Sequence, residues 1–162
     1  MIKRSRRSVR AARTTSARSR AAAAAPGPQA VRLAAALQAL AHGLPNPWDE
    51  STDYFHRFVA AMPAGTELSP ESLRQALGVG ARYQIALSRA DDRLTRLGDA
   101  EDDWGADIAG GFRQLRQVMR ATLRDRSIAF ARGKGVVRVR VWLFGRSKDG
   151  TLVGLRSIST ET

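Results

Sequence analysis

Residues 135–162 read GVVRVRVWLFGRSKDGTLVGLRSISTET. In this stretch Val137, Val139, Val141 and Leu143 alternate with Arg138, Arg140, Trp142 and Phe144, a period of two that marks a β-strand with one face buried. The alternation resumes from Leu152 to Ile158. Between the runs sits Ser147-Lys148-Asp149-Gly150, whose Asp-Gly supplies the positive backbone angles of a tight reversal. The stretch therefore predicts an antiparallel hairpin. Its second strand has no downstream partner in sequence and runs out into Ser159-Thr160-Glu161-Thr162, a tip of hydroxyls and carboxylates.

Working upstream, Gly133-Lys134-Gly135 turns into the hairpin from a short strand at Ile128-Ala129-Phe130-Ala131. Before it, Ile108, Phe112, Leu115, Met119 and Leu123 follow one helical stripe with Val118 beside it, while Arg113, Arg116, Arg120 and Arg124 lie away from it. That helix starts behind the most acidic window of the chain, Asp99 to Asp107, and ends basic, as the helix dipole favours. Arg82 to Leu97 is ambiguous: Tyr83, Ile85 and Leu87 alternate, then Leu94 and Leu97 suggest a helical turn ending at Gly98. Thr66 to Gly78 holds a short helix, with Ser69 as cap, Pro70 at the first position, Glu71 in the first turn and Leu73 and Leu77 on one face. Tyr54 to Met62 is read as a strand, although Phe55, Val59 and Met62 also suit a helix. The first helix carries Val31, Ala34, Ala35, Leu37, Leu40 and Ala41 and stops at His42-Gly43. Leu44-Pro45-Asn46-Pro47 cannot continue it, because proline lacks the donor and clashes with the preceding turn. A loop with Trp48, Asp49, Glu50 and Asp53 follows. Helices thus precede and punctuate a mainly antiparallel sheet, which is the α+β class.

Residues 1–28 are set apart by composition: they have almost no bulky apolar side chain and end in an alanine run and Pro-Gly-Pro. They cannot bury enough surface to offset chain entropy, so a disordered basic tail is expected before a domain at 29–162. Eight of the 27 lysines and arginines, and no acid, fall within the first 20 residues. Subtracting those eight charges from the formal +12 leaves a body of only +4. The basic signal belongs to the tail, where Arg4, Arg6, Arg7 and Arg10 are candidates for weak, nonspecific nucleic-acid contact. Ser5-Arg6-Arg7 is not an export signal, since arginines interrupt the apolar stretch that such a signal needs next. The chain has no cysteine, which rules out a disulfide framework and thiol catalysis and fits a reducing, cytoplasmic setting. No apolar run approaches the length of a membrane span.

Enzyme machinery is sparse. The sequence holds no phosphate-binding loop, no Gly-x-Ser-x-Gly elbow and no His-Glu-x-x-His. His42 and His56, the two histidines, lack partners at a telling spacing, so no catalytic residue and no cofactor are assigned. What stands out is oxygen-rich segments far apart in sequence: Asp49-Glu50, Asp99 to Asp107, and Glu161-Thr162. Such groups suit hard divalent cations and the arginines of a basic cleft. Each also has an ordinary structural use as a helix cap, a dipole partner or a frayed end, and Trp104 also reads as a half-buried packing residue.

The run VRVWLFGRSKDGTLVGLRSISTET resembles the C-terminal hairpin of the nuclease A inhibitor family, small proteins that plug the active site of a sugar-nonspecific, magnesium-dependent nuclease. The resemblance extends to an Asp-Trp pair before the long helix, Asp103-Trp104, to an acidic loop near Asp49-Glu50, and to a chain ending in Glu-Thr. It covers roughly residues 29–162. It implies an α/β/α-type sandwich around the sheet, a nuclease as protein partner, and a contact surface of Glu50, Asp103, Trp104, Glu161 and Thr162, with Asp49 as the alternative to Glu50. The terminal Thr162 is implied to approach the partner's magnesium, the chain holding no metal of its own. The family inhibitor is acidic overall, whereas this body is slightly positive. A rival reading from another class is a nucleic-acid-associated protein using the arginine tail, with Arg138 and Arg140 on one strand face.

Overall fold

The computed structural model describes residues 25–48 and 53–160. Arg4, Arg6, Arg7 and Arg10, the acidic-loop residues Asp49 and Glu50, and the terminal Glu161 and Thr162 lie outside the described residues. Among the described residues the elements run α1 (Pro28–Leu40), β1 (His56–Ala60), α2 (Pro70–Leu77), β2 (Tyr83–Arg89), α3 (Ala90–Asp99), α4 (Glu101–Trp104), α5 (Ala106–Thr122), β3 (Arg124–Gly133), β4 (Arg138–Arg146) and β5 (Leu152–Thr160). The strands form one sheet in the order β1-β5-β4-β3-β2, with every neighbouring pair antiparallel.

The expected hairpin is β4 and β5, paired from Arg138↔Thr160 to Arg146↔Leu152. Its turn is closed by the Ser147 N–H donating to the Thr151 carbonyl at 2.9 Å, with Asp149 Oδ1 accepting from the Thr151 N–H at 3.0 Å. Only Gly150, at φ 89°, takes the left-handed backbone. Asp149 works through its side chain instead, in the manner of an Asx-turn. A further expectation for the hairpin is corrected. Both faces of β4 are buried from Val141 to Gly145, because the sheet is covered on both sides. The second neighbour of β5 comes from upstream: β1 pairs with it from His56↔Arg156 to Ala60↔Leu152.

On one face of the sheet lie α1, α3 and α5. Leu37, Leu94, Phe112, Leu115 and Met119 pack there against Ile128, Val139, Val141, Leu143, Val153 and Leu155 in one cluster. The stripe read from Ile108 to Leu123 supplies this layer, and Phe112, Leu115 and Met119 are each fully buried, worth about 2–3 kcal/mol apiece against exposure. The other face is covered by α2 and its flanking loops, with Leu73, Met62 and Val79 over Tyr83, Ile85, Trp142, Phe144 and Leu152. The architecture is a three-layered α+β sandwich.

Local signals explain most boundaries. Ser69 Oγ accepts from the Ser72 N–H while Ser72 Oγ accepts from the Ser69 N–H, a reciprocal cap for α2. The ambiguous 82–97 stretch is strand then helix, changing at Ala90, which is fully buried. The short strand expected at 128–131 extends to ten residues, with a bulge between Arg124 and Ser127. The acidic window does not simply lead into the long helix. It forms the separate turn α4, broken from α5 by Gly105 at φ 84°.

At Gly154 the fold requires the absence of a side chain. A Cβ there would lie 2.1 Å from the Leu143 carbonyl oxygen and 2.7 Å from Phe144 Cα. The strand neighbours of Gly154 are Phe58 and Phe144, whose rings meet edge-on at 6.4 Å.

Candidate functional site

The two ends of the sandwich differ. At one end a groove is shared by Gln29 of α1, Ala121 and Thr122 of α5 and Lys148 and Asp149 of the hairpin turn. The C-terminus of α1, the N-terminus of α5 and the end of β5 therefore belong to the opposite end. There, Leu44 packs so closely on α5 that a Cβ added to Gly111 would sit 2.5 Å from Leu44 Cδ2.

Residues 46–48 and Asp53 are tied at this end to the last residues of β5. Asn46, 1% exposed, donates from its side-chain amide to Ser157 Oγ at 3.1 Å, and its Oδ1 accepts from the Trp48 N–H at 3.2 Å. Ser159 Oγ donates to the Trp48 carbonyl at 2.6 Å, and Ser157 Oγ to the Asp53 carbonyl at 3.4 Å. The Trp48 ring meets Phe55 edge-on at 6.1 Å and Phe130 at 5.9 Å. The two residues flanking the 49–52 segment, Trp48 and Asp53, are thus bonded to Ser159 and Ser157. The segment containing Glu50 and the dipeptide Glu161-Thr162 leave the described fold from neighbouring points.

The Asp-Trp pair sits on α4, which packs on α5. Asp103 is exposed and Trp104 half-buried. Arg113 clamps this turn in place: it pairs with Glu101 at 2.8 Å and donates to the Gly98 carbonyl, fixing α4 to the end of α3. The Arg113–Glu101 pair is about half exposed on both sides, so its effect is orientation rather than net stability. Among the described residues Asp103 has no ion pair, and its carboxylate is available to a partner.

A perturbed carboxylate lies elsewhere. Arg126 grips Asp91 with two bonds of 2.9 Å and holds its pKa below the usual carboxylate value against the opposing effect of burial. Asp91 opens α3, so this bond closes the joint between α3 and β3 and has no place at the site. Among the described residues no three His, Asp or Glu side chains converge as metal ligands. No helix among them is long and apolar enough to cross a membrane.

Sequence reading named Asp103 and Trp104 and missed Asn46, Ser157 and Ser159. Their signal was present in the period of β5: Val153 and Leu155 point into the helical layer, and Ser157 and Ser159 continue the same parity. Hydroxyls on an inward face require partners, and the loop provides them.

Comparison with curated proteins gives no match. The family of nuclease A inhibitor-like proteins is matched over residues 31–162, which takes in α1 after its first turn, the whole sheet and the C-terminus, and the chain belongs to that family.

Proposed function

We propose that the protein inhibits a sugar-nonspecific, metal-dependent nuclease by occluding its active site, without catalysis of its own. Glu50 of the acidic loop, Asp103 and Trp104 of α4, and Glu161 and Thr162 form the contact surface. Thr162 approaches the nuclease's magnesium, and a reducing cytoplasm is the setting that a chain without cysteine suits. The observation that carries this reading is the bond from Ser159 Oγ to the Trp48 carbonyl. It joins Trp48, the last described residue before the acidic segment, to the strand that leads toward Glu161 and Thr162, which supports a reading in which the two segments act together. A plug for a metallonuclease must imitate phosphate, and pre-organised carboxylates do so at low entropic cost.

The test is titration of a magnesium-dependent, sugar-nonspecific nuclease with the full chain and with the chain lacking Glu161 and Thr162. Loss of two or more decades in affinity is expected for the deletion, because a buried cation and arginines are left without partners. Its thermal midpoint should stay near the parent's, since exposed terminal residues contribute little to stability. Equal potency of the two proteins refutes the plug, and an inactive full chain refutes inhibition of this target.

A further inference from the structure

The face of the sheet that carries α2 is not covered to its end. Beyond Leu77 lies an open groove of about 460 Å³, lined by Asp53, Tyr54, His56, Leu77, Arg140, Trp142, Arg156, Ser157 and Ile158. Register fixes which side chains share its floor. Arg156 stands between His56 of β1 and Trp142 of β4, and Ile158 stands opposite Arg140 and Thr160 opposite Arg138. Residues two apart on a strand share a face, so Arg138, Arg140 and Arg156 all project from this surface, and all three are exposed. Among the described residues none of them has an ion pair. Arg140 lies over the Tyr83 ring at 5.3 Å, which leaves its outer N–H groups without an acid. The acid lining the groove is Asp53, itself exposed.

Arg140 and Arg156 line the groove beside an apolar floor, and Arg138 lies further along the same face, an arrangement that ordinary fold stability does not explain. Like charges gathered on one face repel, and Asp53 is the one acid that lines the groove with them. Tyr54, 60% exposed, and Ile158, 38% exposed, stand at the same groove. We propose that this face binds single-stranded nucleic acid, with phosphates on Arg138, Arg140 and Arg156 and a base against Tyr54. Regularly repeated phosphates match a row of arginine forks better than the scattered carboxylates of a protein surface do. The exposed aromatic calls for an unstacked base, which a duplex does not offer. The inference stands apart from the inhibitory reading, since it uses none of the five residues of the proposed plug.

The test is binding of an oligothymidylate to the full chain across a salt series, alongside Arg138→Gln/Arg140→Gln/Arg156→Gln. A control of equal net charge, Arg32→Gln/Arg96→Gln/Arg120→Gln, removes three exposed arginines from the helical side. Each phosphate contact on a single strand contributes about 0.7 to the slope of log K against log salt, so the groove variant should lose about 2 from that slope. The control should keep the parent's slope, and Tyr54→Ala should weaken binding by about tenfold. Thermal unfolding of each variant ensures that folded proteins are compared. An equal loss in both triple variants would mean that net charge alone acts. An unchanged slope in the groove variant would move the binding to other cations, such as the arginines of the first 20 residues. Equal affinity for a duplex of the same length, or for polyglutamate, would also overturn the assignment.

Discussion

Replacing Ser159 by alanine tests whether the end of β5 holds the acidic loop. Ser159 is 2% exposed, and its Oγ donates to the Trp48 carbonyl at 2.6 Å. Alanine occupies nearly the same space, so no cavity of consequence forms, and the cost is that of a buried carbonyl left without its donor. That cost is about 1–3 kcal/mol, which for a domain of this size lowers the thermal midpoint by roughly 3–8 °C. Trp48 is gripped twice, at its carbonyl by Ser159 and at its N–H by Asn46 Oδ1. Asn46→Ala and Ser159→Ala should therefore couple, and the double variant should depart from additivity by ~0.5 kcal/mol or more. Inhibition should weaken in each single variant beyond what unfolding explains, because the loop must then be ordered on binding. The assays are equilibrium denaturation of the four proteins of the cycle and nuclease titration of the same four. A Ser159→Ala protein that melts with the parent, together with strict additivity, refutes the tether.

Three further outcomes follow from the geometry. Asp91→Asn should cost ~1–2 kcal/mol at neutral pH, a figure reduced for the partial exposure of its pair with Arg126, 23% and 30% on the two sides. Because Arg126 holds the folded pKa of Asp91 below its unfolded value, the stabilisation is complete above the unfolded pKa of about 4 and is lost as pH falls through the folded one. The gap between parent and variant in urea midpoints should therefore close as pH drops below about 4. Gly154→Ala should destabilise by ~3 kcal/mol or more in thermal unfolding, since its Cβ meets backbone rather than a side chain able to move. Trp104→Ala should cost ~2 kcal/mol or more in affinity for the target nuclease and less than that in stability, because Trp104 is only half-buried; a larger loss in denaturation than in inhibition would return it to the packing layer.

The parts of this fold legible in sequence are those whose signal is local. The reversal at 147–150, the Ser69-Pro70 start of α2 and the stripe of α5 each depend on residues within a few positions of one another. The β1–β5 pair was not legible. Five residues of β1 meet their partners a hundred positions later, and the benefit of that pairing lies in closing the sheet rather than in either segment's pattern. The two-sided burial of β4 has the same origin. Arg140 and Trp142 share one face of the strand, yet Trp142 lies under the α2 layer and Arg140 beyond it, a difference that alternation alone cannot encode. At the site, Asp103 and Trp104 could be named because their chemistry is conspicuous, whereas Asn46 sits in a proline-rich loop that reads only as a helix stop.

The hold on the end of β5 bears on the proposed contact surface. A tip on an edge strand would be held along one side, and fraying would remove it from the target surface for part of the time. Here β1 pairs with β5 as far as Arg156, and beyond it β5 is held by β4 along one side and by the bonds of Ser157 and Ser159 with Asn46, Asp53 and Trp48. The pairing with β4 runs to Thr160, so the strand is held to its last described residue, one strand in from the β1 edge. Local charge bears on the proposed acidic contact surface of a body of net +4. Asp99, Glu101, Asp102, Asp103 and Asp107 are gathered at and around α4, while exposed arginines stand elsewhere on the helical side, at Arg32 and Arg120, and on the opposite face of the sheet, at Arg138, Arg140 and Arg156. Steering toward a basic cleft depends on the local field rather than on the total charge. Adding salt should therefore slow association with the nuclease, while the groove variant that lacks the three arginines should associate faster than the parent. An association rate unaffected by both salt and that variant would mean that charge segregation plays no part in the encounter.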